Sequence, residues 1–247
     1  MNDDLKMVDH RPFSLNRLPW VMTQTWEDVL FLHWPVDEQL LRKHIPETLE
    51  LDVYGGKAWL GIVPFEVKGM RPRLLPTFPF IGSFLELNVR TYVKYKGKPG
   101  VYFFSLDASN FVVVTMAKIG YALPYRHAEM KIERKHQEIV LSNNWKDEKQ
   151  SEHFQCTYTP VSPIYYSEKG TLDHWLTERY CLWTVRGNML MRTDIHHTKW
   201  ELQNAEVALH QNTMASFLPT SIYDKVPVAH YCQSKQAYFW PPIIENN

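Results

Sequence analysis

Residues 86–107 read ELNVRTYVKYKGKPGVYFFSLD. Two runs rich in β-branched and aromatic residues are interrupted by Gly97-Lys98-Pro99-Gly100. This pattern predicts a β-hairpin, with strands over Glu86–Tyr95 and Val101–Leu106. The first run alternates with period two. Leu85, Leu87, Val89, Thr91 and Val93 fall on one face, and Glu86, Asn88, Arg90 and Tyr92 on the other. In an open sheet the polar face would meet solvent. In a closed sheet it would point into the lumen, where each charge needs a partner. Glu86 and Arg90 stand roughly 13 Å apart along such a strand. That is too far for direct contact, so a ligand, or Arg126 from another strand, would have to bridge them.

Beyond this hairpin, short strands continue to alternate with turns. Pro12 and Pro19 make residues 1–20 an extended arm. Trp20–Trp26 is strand-like. Pro35–His44 reads as a short helix, with Asp37 and Glu38 at its positive end and Arg42, Lys43 and His44 at its negative end. Strands are expected at Leu49–Tyr54 and Ala58–Val67, around a Gly55-Gly56 turn. The Pro-rich stretch 69–83, with Arg71 and Arg73 among apolar side chains, is expected to be a crossover loop or a lid over a pocket. A helix over 109–121 would be capped by Asp107 or Ser109. Residues 128–141 read as two strands, with Glu129, Lys131, Glu133 and Lys135 on a solvated face. Asn143-Asn144 and 146–152 read as polar loop, and Phe154–Thr159 as a strand. Leu172–Arg179 reads as a helix capped by Thr171 or Asp173, and Cys181–Arg192 as a hairpin around Arg186-Gly187. Ile195–Ala208 is one long strand or two short ones. The last 30 residues show no clear period.

Composition narrows the function. The 247 residues are 45% apolar and 22% charged, ample for a core. A single domain is expected over 1–247. Lys+Arg and Asp+Glu are both 27, a poor balance for phosphate neutralisation, so nucleic-acid binding is not expected. No GxGxxG and no GxxxxGK[ST] occurs. Cys156, Cys181 and Cys232 are too few and too scattered for a disulfide framework or a zinc ribbon. His174 and Glu178, or Asp194 and His196, could each offer two metal ligands, but spacing indicates no third, so no metal is expected. No cofactor is expected either. His33 reads as a buried core histidine. The acidic start lacks the apolar segment of a signal peptide, and the best apolar run, Phe111–Ala117, is too short to span a membrane. A soluble cytoplasmic protein is the expectation, with homo-oligomerisation left open.

Four stretches carry a family likeness: HWPVD at 33–37, AWLGIVPF at 58–65, ELNVRTYV with SLDA in 86–108, and AKIGYALPYRHA at 117–128. With them the chain resembles the YqjF-like family of uncharacterised bacterial proteins, in the acetoacetate decarboxylase-like superfamily. The resemblance implies a mainly β (α+β) domain, a cone-shaped antiparallel β-barrel with a few flanking short helices and a pocket at its wide mouth. The decarboxylase carries a Pro-Lys-Lys signature whose first lysine forms a Schiff base, a lysine activated by a neighbouring cation. Here the matching residues are Pro124-Tyr125-Arg126. A phenol forms no Schiff base, so the defining chemistry of that enzyme is not expected.

The expected site is therefore a small-molecule pocket lined by Glu86, Arg90, Tyr121, Tyr125 and Arg126, with Arg71 of the loop near its mouth. A guanidinium beside a phenol would attract an anionic ligand. Two other readings stand beside ligand binding. One is an enzyme using Tyr125, Glu86 and Arg90 as acid–base groups on a small keto acid. The other is a structural protein whose barrel is filled by side chains.

Overall fold

The computed structural model describes residues 3–78, 80–121 and 123–245, the side chains of 119–121 excepted. Its strands are β1 (Met22–Val36), β2 (Glu50–Leu51), β3 (Ala58–Pro72), β4 (Phe84–Tyr95) and β5 (Lys98–Ala108). They continue with β6 (Tyr125–His127), β7 (Glu129–Lys135), β8 (Glu138–Lys146), β9 (Ser151–Pro160) and β10 (Cys181–Arg186). The last are β11 (Met189–His196), β12 (Gln203–Asn212), β13 (Val228–Phe239) and β14 (Ile243–Glu245). Among the described residues three short α-helices accompany them: α1 (Glu38–Arg42), α2 (Phe111–Tyr121) and α3 (Leu172–Thr177). The chain is mainly β.

The expected hairpin forms as β4 and β5, paired from Glu86↔Ala108 to Tyr95↔Lys98. Its turn is tighter than expected. Lys96 and Gly97 both have positive φ, at 48° and 74°, the conformation a two-residue hairpin turn requires. Pro99 and Gly100 therefore belong to β5.

The sheet runs β14-β11-β10-β5-β4-β3-β1-β13-β12-β9-β8-β7. A further pairing, Ile195↔Phe239 and His196↔Tyr238, joins β11 to β13. The seven strands from β11 to β13 thereby form a ring. The ring is not purely antiparallel, because β10 runs parallel to β5. Parallel neighbours need a long crossover, and here it is the whole stretch from α2 through α3. Strands β7, β8, β9 and β12 extend as a wing over the outside of β1 and β4. Leu30, Leu32, Leu87, Val89 and Val93 pack there with Leu141, Phe154 and Tyr158. The apolar face of β4 is thus used by this core, and its polar face turns into the ring.

Three β-bulges re-aim side chains around the ring interior. On β1, Asp28 at φ 51° sits in a register shift, so Met22, Gln24 and Trp26 point inward before it, and Val29 and Phe31 after it. On β3, Gly69 at φ 60° changes the inward set from Val63 and Phe65 to Met70. On β5, a shift opposite Val89/Arg90 lets Val101 and Phe103 line the same space as Leu106. Asp28 is fixed by Tyr231, whose hydroxyl donates at 2.6 Å, and by Arg134 of the wing.

Several local expectations are corrected. Pro35 and Val36 stay in β1, leaving α1 only five residues. The cap of α2 is Asn110, whose Oδ1 accepts from the amides of Val112 and Val113 at 3.0 and 3.2 Å, not Asp107 or Ser109. Asn143 and Asn144 lie within β8, and Asn143 is buried because it donates to buried Asp107 at 2.8 Å. The C-terminal region holds a twelve-residue strand, β13, despite its irregular pattern. The N-terminal arm includes a short 3-10 turn, Asp3–Lys6, and is docked by Arg11, which donates to the Ile195 carbonyl at 2.8 Å. Thr171 caps α3 as expected, accepting from His174 N at 3.4 Å. No helix among the described residues is long and apolar enough to cross a membrane.

Candidate ligand cavity

The ring encloses a cavity of about 390 Å³, with walls mainly of apolar side chains. Trp26, Phe31, Phe65, Phe103, Trp200 and Phe239 supply the aromatic part. Trp26 stacks on Trp200 at 5.9 Å between ring centres, and Phe31 meets Trp200 edge-on at 4.9 Å. α2 and the segment after it border one end of the cavity, through Val113, Met116, Ala117, Leu123 and Tyr125. The other end receives Thr177, Arg179 and Cys181, from the end of α3 onward.

Polar groups are few and sit mainly on β4. Because β4 turns its even-numbered face inward, Glu86, Asn88 and Arg90 all line the cavity. At the α2 end the Tyr125 hydroxyl donates to Glu86 Oε2 at 2.8 Å. Burial pushes the Glu86 carboxyl up to about 7, with the Tyr125 bond pulling the other way. Burial, reinforced by Glu86, holds the Tyr125 phenol well above its ordinary range. Asn88 is buried, and its Oδ1 has no hydrogen-bond partner among the described residues.

At the α3 end two guanidinium groups flank Tyr92. Arg90 lies with its Cζ 5.6 Å from the Phe31 ring centre and 5.7 Å from that of Tyr92. Its Nη2 donates to the Tyr92 hydroxyl at 3.5 Å, and its buried Nε has no partner among the described residues. No carboxylate of the described residues forms an ion pair with it. Gly61 on β3 makes room for this side chain. A Cβ there would come within 3.2 Å of Arg90 Cγ and 3.3 Å of His33 Cδ2. Arg179 donates to Asp52 at 2.6 Å and to the Trp175 carbonyl at 2.7 Å, and its Cζ sits 4.8 Å over Tyr92. Its Nη2 is buried without a partner among the described residues. Behind Tyr92, its hydroxyl lies 2.6 Å from His33 Nε2. Burial and the nearby Arg90 lower the His33 pKa well below the ordinary value, so the ring is neutral.

The structure thus brings Glu86, Arg90 and Tyr125 together around one cavity and sets Arg126 and Arg71 apart from it. Arg126 points away from it. It pairs with Asp107 at 2.6 Å and Glu152 at 2.7 Å, and lies 3.8 Å over the Trp145 ring, between the ring and the wing. Neighbouring residues on a strand face opposite ways, so Tyr125 inside requires Arg126 outside. Arg71 lies within β3, next to its last residue Pro72, and not in a loop; its Cζ is 5.9 Å from the Trp20 ring centre, and it does not line the cavity. The side chain of Tyr121 lies outside the described residues. Within 69–83 only Met70 lines the cavity among the described residues. Arg179, with its open donor, was not among the expected site residues. Its place at the end of a short helix gave no period to read. Nor was His197, a neutral cavity-lining ring whose pKa burial holds well below the ordinary value.

No lysine lines the cavity among the described residues. Lys118, Lys131 and Lys135 are exposed. The two candidate metal pairs are engaged otherwise. Glu178 accepts from Tyr180 and from the Trp200 amide, Asp194 accepts from Arg192, and His196 bonds the Asp4 carbonyl. No group of three or more His, Cys, Asp or Glu suited to a metal ion occurs among the described residues.

Comparison with known proteins agrees with this architecture. The profile of the DUF2071 family, described as uncharacterised conserved proteins, matches residues 23–236. The uncharacterised protein YqjF of Bacillus subtilis is 46% identical over 222 residues, covering 90% of this chain and 91% of that protein. Among solved structures, the enduracididine biosynthesis enzyme MppR complexed with pyruvate superposes with a TM-score of 0.63 at 12% identity, covering 94% of this chain and 92% of that one. Acetoacetate decarboxylase from Legionella pneumophila superposes with a TM-score of 0.62 at 13% identity, covering 99% and 95%. At such identities the likeness is one of fold. The fold is acetoacetate decarboxylase-like.

Proposed function

The chain belongs to the DUF2071 family, as a YqjF-like protein of acetoacetate decarboxylase-like fold, and from that premise we propose that it binds a small anionic metabolite inside the ring. The ring is read as the cone-shaped barrel of that fold, with its cavity as the ligand site. One observation carries the reading. Arg90 places a guanidinium cation in an apolar, aromatic cavity with no carboxylate paired to it among the described residues. Arg90 is half-buried with its Nε fully buried; a cation held against an apolar wall without a counter-charge is costly, and an anionic ligand reduces that cost. Asn88 and Arg179 add buried polar atoms without partners at the same cavity. A structural neighbour solved with pyruvate, a carboxylate, is in keeping with this. The cavity itself weighs against a barrel filled by side chains.

A second reading has its own support. A carboxyl raised to about 7 and bonded to a phenol is poised to exchange protons near neutral pH, which favours acid–base chemistry on the bound molecule. Schiff-base chemistry is not part of either reading, because Tyr125 stands where the decarboxylase signature has lysine.

Titration calorimetry with a panel of short carboxylates and their neutral amides tests the binding reading. Binding of the acids that drops by roughly 1.5–3 kcal/mol in Arg90→Met supports it. Indifference of the protein to every carboxylate sinks it. Turnover of keto acids, with Tyr125→Phe as the control, separates enzyme from binder.

A further inference from the structure

We infer that the cavity is built for a monocarboxylate with a long apolar body and a neutral hydrogen-bonding group at its far end, not for a short keto acid. This rests on the anion-binding reading and adds the ligand's length and polarity.

Glu86 and Arg90 both line the cavity, and β4 carries their Cα atoms about 13 Å apart. One polar centre, Arg90 with Arg179, lies at the α3 end. The other, Glu86 with Tyr125, lies at the α2 end. A three- or four-carbon acid seated on Arg90 leaves the second centre unreached.

Volume points the same way. A cavity of about 150 Å³ suffices for benzene, and this one is about 390 Å³. Between the two centres the wall is aromatic and aliphatic, with Phe31, Phe65, Phe103 and Trp26 at hand and Asn88 the one β4 side chain between. A chain or aryl body of about eight to ten carbons suits a pocket of this size class.

Charge sets the polarity of the two ends. The carboxylate belongs at Arg90, the cation unpaired among the described residues. The α2 end offers a carboxyl that already accepts from Tyr125. A hydroxyl can donate to that carboxyl, whereas a second ligand carboxylate would face it as a like charge. The site therefore distinguishes an ω-hydroxy acid from a dicarboxylic acid of equal length.

Calorimetry on the full chain near pH 8, where Glu86 is mostly ionised, tests this with five probes: butanoate, decanoate, ω-hydroxydecanoate, decanedioate and decanol. Each buried methylene strengthens binding about fourfold, so decanoate should bind at least a hundredfold more tightly than butanoate. The ω-hydroxy acid should exceed decanoate several-fold, and decanedioate should fall below it. Arg90→Met should bring decanoate down to the level of decanol. Ala117→Trp, which fills the α2 end, should weaken decanoate and spare butanoate. Circular dichroism of both variants checks that they fold. If butanoate binds as tightly as decanoate and loses affinity in Arg90→Met, the length inference is overturned while the anion-binding reading survives. If no carboxylate binds, that reading fails and the inference with it.

Discussion

The Tyr125 hydroxyl donates to Glu86 Oε2 at 2.8 Å inside a largely apolar cavity. Burial outweighs that bond, and the carboxyl rises from 4.5 to about 7. Below about pH 4.5 it is protonated in folded and unfolded chains alike. Between there and 7 the folded chain keeps a proton that the unfolded chain has lost. Stability therefore falls as pH rises through this window and levels off above it. The shift corresponds to about 3 kcal/mol. Glu86→Gln still accepts from Tyr125 and cannot ionise. Urea denaturation should show the variant gaining about 2–3 kcal/mol on the parent between about pH 5 and about pH 8. Parallel pH profiles would contradict the burial argument.

Arg126 supports the fold, not the cavity. Its partners Asp107 and Glu152 have side chains 0% and 5% exposed, and Ser216 and Asn143 complete the cluster. Removing the cation strands two buried carboxylates. Arg126→Ala should cost about 3–5 kcal/mol in chemical denaturation. Ligand affinity of the remaining folded protein should match the parent. A stable variant with lost affinity would return Arg126 to the site.

The reach of the sequence follows from what local pattern encodes. Alternation on 85–93 gave both faces of β4 correctly, because one face meets a core and the other a cavity. Which face looked inward was not legible, since it depends on the wing of β7, β8, β9 and β12 covering the ring. The bulges at Asp28 and Gly69 shift the alternation by one residue, which local periodicity reads as noise. The same alternation sets Tyr125 and Arg126 on opposite sides of β6, so the expectation that both line one pocket does not hold. Arg179 reaches the cavity only through a long-range crossover. Asn143 looked like loop because its polar side chain is satisfied by Asp107, which is distant in sequence.

The three thiols should be inert in the native state. All are buried, and burial pushes Cys156 and Cys181 up to about 12 and Cys232 up to about 11. The thiolate is the reactive form, so little of it exists near neutral pH. A colorimetric disulfide reagent should label no thiol natively and three after unfolding in guanidinium. Rapid native labelling of one equivalent would show that the cavity opens around Cys181.

Borohydride should trap nothing. The described cavity lining holds no lysine. After incubation with acetoacetate and reduction, the intact mass is expected to be unchanged. A reduced adduct on any lysine would restore Schiff-base chemistry by another route.

Two glycines should separate folding from binding. A Cβ on Gly100 would lie 2.7 Å from Cys181 Sγ and from Trp183 Nε1, and 2.8 Å from the Cys181 carbonyl oxygen. These atoms belong to β10, which β5 must approach closely to form the parallel pairs Leu182↔Val101 and Trp183↔Tyr102. Backbone and buried Trp183 cannot yield cheaply, so Gly100→Ala should destabilise the protein by roughly 1–3 kcal/mol. A Cβ on Gly61 meets instead the Arg90 side chain at 3.2 Å and the edge of the His33 ring at 3.3 Å. The flexible Arg90 can move aside into the cavity, so Gly61→Ala should cost less stability than Gly100→Ala. What it should lose is the placement of the guanidinium over Phe31 and Tyr92, and with it carboxylate affinity. Thermal unfolding and calorimetry on both variants measure the two effects separately. Equal affinity of Gly61→Ala and the parent for decanoate would mean that the position of Arg90 does not set binding.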